Sequence, residues 1–264
     1  MQNLLTPDHV NALRSECDAL EAHYSQRSLD PFEEGCVLDI LRDAPVDDGH
    51  QARTSQEAYL QVRRGQIQQQ LSENSALERV LFTVLPTVAA GLFGSGRKCF
   101  LFNEHYVSKP PNSKIEFKWH TDEEEQLSAF VTSGGFPQYL SAWCPLDQIT
   151  ETNGPLVLLP LPHTPNGIKQ GGYELDPDDL KTSLADTPAI LPLLNPGSVV
   201  FFASSVWHTS TANSSESPRR VFYAQFSPSP IEVKGRPLAF AVPCTPGSRR
   251  IAHSARSRSV SNRL

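Results

Sequence analysis

Lys118-Trp119-His120-Thr121-Asp122, read together with Val206-Trp207-His208-Thr209-Ser210, decides how the rest of this chain is understood. A His-x-Asp pair and a distant His are the three protein ligands of a non-haem iron site. That arrangement covers one face of an octahedral Fe(II) and leaves the opposite face open. In an extended strand, residues i and i+2 project to the same side, so His120 and Asp122 can both reach one ion while Thr121 points away. The third ligand must then come from another strand that the fold brings alongside. A lone His-x-Asp is a weak signal, and the residues beyond His208 sharpen it. Ser210 is two residues on, and Pro218-Arg219-Arg220-Val221-Phe222-Tyr223 opens a new apolar run. An Arg beside the distal His strand suits 2-oxoglutarate, whose far carboxylate needs a planar, permanently charged fork. Arg219 and Arg220 are neighbours that would point to opposite faces. Pro218 and the spacing from His208 favour Arg219.

Further stretches carry a family resemblance. Leu101 to Pro111 is similar to a strand leading into the metal motif. Trp143 with Leu146-Asp147, Asn153-Gly154-Pro155-Leu156 and Pro160-Leu161-Pro162-His163 come after it, and Asn195 to Phe202 is similar to the strand before the distal His. Together these resemble the phytanoyl-CoA dioxygenase (PhyH-type) family of Fe(II)/2-oxoglutarate-dependent oxygenases, from the first helix to about Pro230. The resemblance implies metal ligands His120, Asp122 and His208, and 2-oxoglutarate contacts from Arg219, Ser210 and Trp143. It implies Fe(II), 2-oxoglutarate and O2 as cofactors, and oxidation of a small-molecule substrate with release of succinate and CO2. Asn103, His105, Tyr106 and Lys109 precede the metal strand, and alternation should turn two of them inward toward substrate or 2-oxoglutarate. His163 is a further candidate, with a satisfied polar-turn His as the alternative. Thr121 stands where the family often has Gln, and Leu161-Pro162 replaces Gly-Ser. Asp122 is a carboxylate and leaves no vacancy for a halide, which argues against halogenation. Trp119 and Trp207, each one residue before a ligand His, should face away into the core.

Bulk properties agree with an enzyme of this type. The chain has 264 residues, 39% of them hydrophobic, enough for one large β domain. A formal charge of −6 and a pI near 5.8 argue against a nucleic-acid partner. Cys17, Cys36, Cys99, Cys144 and Cys244 are odd in number and lack C-x-x-C pairs, which reads as a reducing compartment without disulfides or structural zinc. No leader with a basic start and a long apolar core is visible. Val80 to Phe93 is the most apolar run, and its interruption by Pro86 argues against a membrane span. A cytoplasmic location is expected, although Asn262-Arg263-Leu264 resembles a degraded peroxisomal address. A homodimer is left open.

Helices are expected first. Thr6-Pro7-Asp8 caps a helix whose stripe is Val10, Leu13, Cys17, Leu20 and Tyr24. Asp30 to Arg53 reads as loop. Thr54 with Glu57, and Ser75 with Glu78, form capping boxes for two more helices, the last ending at Pro86. Beyond Gly96 the texture turns to short apolar runs separated by Pro, Gly and Asn. The expectation is therefore a mainly β chain with flanking α-helices and a double-stranded β-helix (jelly roll) core. Its single domain should span 1–232, with helices in 6–86 and the core in 97–230. Residues 233–264 read as a C-terminal extension, disordered toward its basic end. Glu123-Glu124-Glu125 and the acidic 171–187 segment read as solvated surface.

Overall fold

The computed structural model describes residues 1–26, 36–40, 59–60, 63, 75–122, 138–159, 189–233, 236–237 and 240–244. His163, the 123–125 and 171–187 segments, most of the helix expected over 54–67 and the 245–264 tail lie outside the described residues.

The first helix, α1 (Pro7–Gln26), begins where the cap predicts: the Thr6 hydroxyl accepts the His9 backbone N–H at 3.3 Å. Its whole apolar stripe is buried. Next, α2 (Ala76–Arg79) is capped by the Ser75 hydroxyl, which accepts from the Glu78 N–H at 3.1 Å. The expected stop at Pro86 is not observed. A π-helical turn, Val80–Val84, carries the chain into α3 (Leu85–Phe93), with Pro86 in its first turn. The Leu85 N–H reaches back to the Val80 carbonyl, five residues earlier. This wider turn relieves the conflict between the proline ring and the carbonyl four residues before it. Ala76–Phe93 is therefore one 18-residue helical stretch, long and apolar enough by length and composition to cross a membrane. Leu77, Val80, Leu81, Leu85 and Ala89 lie buried in the main core cluster.

Two facing sheets form the core, and β9 (Glu232–Val233) pairs with β10 (Arg236–Pro237) in a separate two-stranded sheet. The larger runs β1 (Val37–Asp39), β2 (Phe100–Lys109), β8 (Arg219–Ser227), β4 (Leu140–Pro145) and β6 (Val200–Ala203), with β11 (Val242–Pro243) also paired to β2. The smaller runs β3 (Phe117–His120), β7 (His208–Ser210) and β5 (Leu156–Leu158). All these pairings are antiparallel, as in a jelly roll. The helices cover the back of the large sheet, and the site lies between the sheets.

Two further expectations need correction. The 30–53 region contains a strand, β1, in which Val37 and Asp39 are half-buried and Leu38 is buried. Three residues are too few to show a period of two among neighbouring prolines and glycines. The chain after 233 is also not wholly outside the core: Phe240, Val242 and Cys244 are buried, and Phe240 stacks on Tyr59 with centroids 4.0 Å apart. All five cysteines are buried, and none is in a disulfide.

Candidate active site

Two strands of the small sheet bring the ligand residues together. His120 is paired directly with His208 in the β3–β7 register, and Asp122 lies just past the end of β3. One ligand atom from each of the three lies within 4.8 Å of the others. His120 Nδ1 is 2.7 Å from the Lys118 carbonyl, and His208 Nδ1 is 3.0 Å from the Val206 carbonyl. An Nδ1–H donated to a carbonyl fixes the neutral tautomer that presents Nε2 as a lone pair, as a divalent metal requires. Burial holds His208 below its ordinary pKa; the Asp122 charge opposes this and His120 adds to it. Two imidazoles and one carboxylate suit Fe(II).

The facing wall comes from the large sheet, whose register lines up Asp39, His105, Tyr223 and Trp143 in one row across four strands. Between the sheets is a cavity of about 310 Å³ that contains the three ligand residues, this row, Ser210 and Arg219. Strand parity separates the candidates on β2. Asn103 and His105 line the cavity, whereas Tyr106 projects to the opposite face and donates to Glu16 Oε2 at 2.5 Å. Tyr106 is therefore not a site residue. The tryptophans also differ: Trp207 is buried as expected, while Trp119, on an edge strand of the small sheet, is only half-buried.

Arg219 lines the cavity, and a second buried basic side chain, Lys109, lies beside it. Arg219 donates to the Gly154 carbonyl at 2.7 Å and lies 3.5 Å from the Ser210 hydroxyl. Lys109, directly opposite Arg219 in the β2–β8 register, donates to the Ser210 hydroxyl at 2.8 Å and to the Thr211 carbonyl at 2.6 Å. Among the described residues neither has a carboxylate within ion-pair distance, and Arg219 Nε is buried without a hydrogen-bond partner. Burial lowers Lys109 to about 7, with the Arg219 charge adding to the shift; burial lowers Arg219 to about 10. Two buried basic groups without a carboxylate partner are costly unless an anion joins them. A ligand carboxylate fits this place, with the Trp143 ring 6.0 Å from the guanidinium. Arg220 points to the other face, pairing with Asp147 at 2.9 Å and Asp18 at 2.6 Å.

Sequence reasoning missed Asp39, Ser141, Tyr223 and Gln225. Asp122 Oδ2 accepts hydrogen bonds from the Ser141 and Tyr223 hydroxyls. Inward parity on β4 and β8 could have flagged these two, but their convergence on Asp122 depends on the register between strands.

The phytanoyl-CoA dioxygenase (PhyH) family profile matches residues 1–221. No curated protein matches the chain in sequence. Among solved structures, AviO1 from Streptomyces viridochromogenes Tue57 is 18% identical, with 90% of each chain covered and a TM-score of 0.56. EctD from S. alaskensis, solved with 2-oxoglutarate and 5-hydroxyectoine, is 19% identical over 89% of this chain and 76% of that one, with a TM-score of 0.58. EvdO2 from Micromonospora carbonacea var. aurantiaca, complexed with 2-oxoglutarate, is 25% identical; the match spans 59% of this chain and 62% of that one, with a TM-score of 0.43. AviO1 and EctD share this fold, and the profile covers most of the sequence. The chain belongs to the phytanoyl-CoA dioxygenase family of Fe(II)- and 2-oxoglutarate-dependent oxygenases.

Proposed function

We propose that this enzyme uses Fe(II) and 2-oxoglutarate to oxidise a C–H bond of a small organic metabolite in secondary metabolism. His120, Asp122 and His208 are its metal ligands. Arg219 and Ser210 hold the far carboxylate of 2-oxoglutarate, Lys109 supplies a second positive charge, and Trp143 walls the pocket. The observation that carries this reading is the buried Arg219, with Lys109 directly across from it in the β2–β8 register, on the wall of the cavity that also holds the His-His-Asp cluster. When bound, Fe(II) with 2-oxoglutarate and O2 supplies the oxidising power, with succinate and CO2 as co-products. The protein orients both co-substrates and excludes water.

A compact substrate is favoured over an acyl-CoA because the cavity, about 310 Å³, sits at the small end of ligand pockets and must also admit 2-oxoglutarate. The substrate would meet the wall of Val37, Asp39, His105 and Val107. The domain is best drawn through residue 244, since Phe240, Val242 and Cys244 belong to the core. A cytoplasmic setting suits five cysteines outside any disulfide.

The test is anaerobic addition of Fe(II) and 2-oxoglutarate, with the visible metal-to-ligand charge-transfer band as the readout. Wild type should give the band. Arg219→Leu should need far more 2-oxoglutarate for the same amplitude. Bound iron without a band in wild type would sink the 2-oxoglutarate assignment and favour an inert metal-binding jelly roll.

A further inference from the structure

Asp122 is held by more than its own chain segment. Its buried carboxylate has two distinct oxygens: Oδ1 faces His208 Nε2 at 3.6 Å, while Oδ2 accepts from Ser141 on β4 and Tyr223 on β8. The direction of these bonds is set further back. Asn103 Nδ2 donates to Gln225 Oε1 at 2.8 Å, which turns the Gln225 amide nitrogen toward Ser141, to whose hydroxyl it donates at 3.2 Å. The Ser141 oxygen is thereby an acceptor from Gln225, and its own hydrogen goes to Asp122. The phenol ring of Tyr223 is stacked on His105, with centroids 4.9 Å apart and planes 23° apart, so its hydroxyl cannot swing away without breaking that contact. Asn103, Gln225 and Ser141 lie on three adjacent strands of the large sheet, and Asp122 lies just past the end of β3 of the facing one. The relay therefore crosses from sheet to sheet.

Both hydrogen-bond directions at Oδ2 are used, and only Oδ1 is left toward the histidines. We propose that Ser141 and Tyr223 are positioning residues that make Asp122 a one-oxygen ligand and so keep a coordination position open. An octahedral ion has six positions: three go to the protein and two to a chelating 2-oxo acid. A carboxylate gripping through both oxygens would take the sixth, which the reaction needs. Carboxylate ligands without their outer hydrogen bonds are also poorly oriented, typically at a cost of about 10–100-fold in metal affinity. Asn103 thus acts on Asp122 through two intermediates, Gln225 and Ser141.

This inference rests on the Fe(II)/2-oxoglutarate reading, and its experiment separates the two. Tyr223→Phe, Ser141→Ala and the double variant would be titrated anaerobically with Fe(II), then with 2-oxoglutarate. Nitric oxide would then be added as a probe of the open position, read by electron paramagnetic resonance. The expected result in the double variant is Fe(II) binding weaker by about tenfold or more. A charge-transfer band should still form at saturating iron, and the nitric oxide signal per bound iron should fall to less than half of the wild-type value. Fe(II) affinity within twofold of wild type, or an undiminished nitric oxide signal at saturation, overturns the proposal. A role in folding alone would lower the melting temperature of the metal-free protein and leave the nitric oxide signal unchanged, which also overturns it. If Ser141→Ala does not fold, Tyr223→Phe carries the test by itself, since it keeps the ring and its stack on His105. Wild type that gives no band with bound iron removes the parent reading, and this one with it.

Discussion

Lys109 is the residue whose behaviour should be easiest to misjudge. Buried beside Arg219, its ammonium is held to about 7 by desolvation first and by the Arg219 charge second. Its folded-state pKa thus lies below its unfolded value. Between about pH 7 and the ordinary lysine range, the unfolded chain binds the extra proton, so ligand-free stability rises with pH there. Binding of a carboxylate reverses the preference, because an anion favours the ammonium form. Affinity for 2-oxoglutarate should therefore fall as pH rises above 7, by up to about tenfold per unit. Lys109→Met should flatten that slope and weaken binding at pH 6.5; charge-transfer titrations from pH 6.5 to 8.5 would show it. An unchanged slope in the variant would place the titrating group elsewhere. At this scale the sequence was informative where one stretch of chain sufficed: the His-x-Asp spacing marked His120 and Asp122, although Asp122 lies just past the end of β3, and Pro218 with the spacing from His208 favoured Arg219 over Arg220. Ser141 and Tyr223 could not be read, because nothing local says that two hydroxyls from different strands end on one carboxylate oxygen.

Elements show the same division. The cap of α1 and the start of α2 were legible because each is a contact within four residues. The π turn that lets the helix run past Pro86 was not, since composition does not reveal a change of hydrogen-bond register. Gly154 ties an element to the site. Its φ is +79°, and a Cβ there would stand 2.7 Å from the Thr211 carbonyl and 3.2 Å from Lys109 Cδ. Gly154 also supplies the carbonyl that holds Arg219. Gly154→Ala should therefore weaken 2-oxoglutarate binding more than Fe(II) binding, which separate titrations would resolve. Behind the large sheet, Arg63 is fully buried between Glu16 and Glu104, with bonds of 2.9 Å to each and with Tyr59 donating to Glu104. Burial raises the pKa of Glu104, and Arg63 opposes the shift. Arg63→Met would strand two carboxylates in the core. It should cost about 3–5 kcal/mol in urea denaturation, while adding Glu16→Leu and Glu104→Leu should recover most of the loss.

For the molecule as a whole, the site divides between the two sheets. His120 and His208 are on strands of the small sheet and Asp122 adjoins it, whereas Lys109 and Arg219 are on β2 and β8 of the large sheet. A 2-oxo acid that chelates the metal at one end and meets the cations at the other would therefore join the sheets across the cavity. Metal alone ties together only the ends of β3 and β7, which are already paired. The two ligands should consequently stabilise the fold more together than the sum of their separate effects. At concentrations near 100 times its dissociation constant, a ligand adds about 2.7 kcal/mol. In a protein of this size that corresponds to roughly 5–10 °C in melting temperature. Thermal unfolding under anaerobic conditions should show a small shift with 2-oxoglutarate alone, a moderate one with Fe(II), and a further rise of that size with both. Arg219→Leu should keep the Fe(II) increment and lose the one that 2-oxoglutarate adds to it. Equal and additive shifts, unaffected by Arg219→Leu, would mean that the carboxylate end of the ligand does not reach the large sheet.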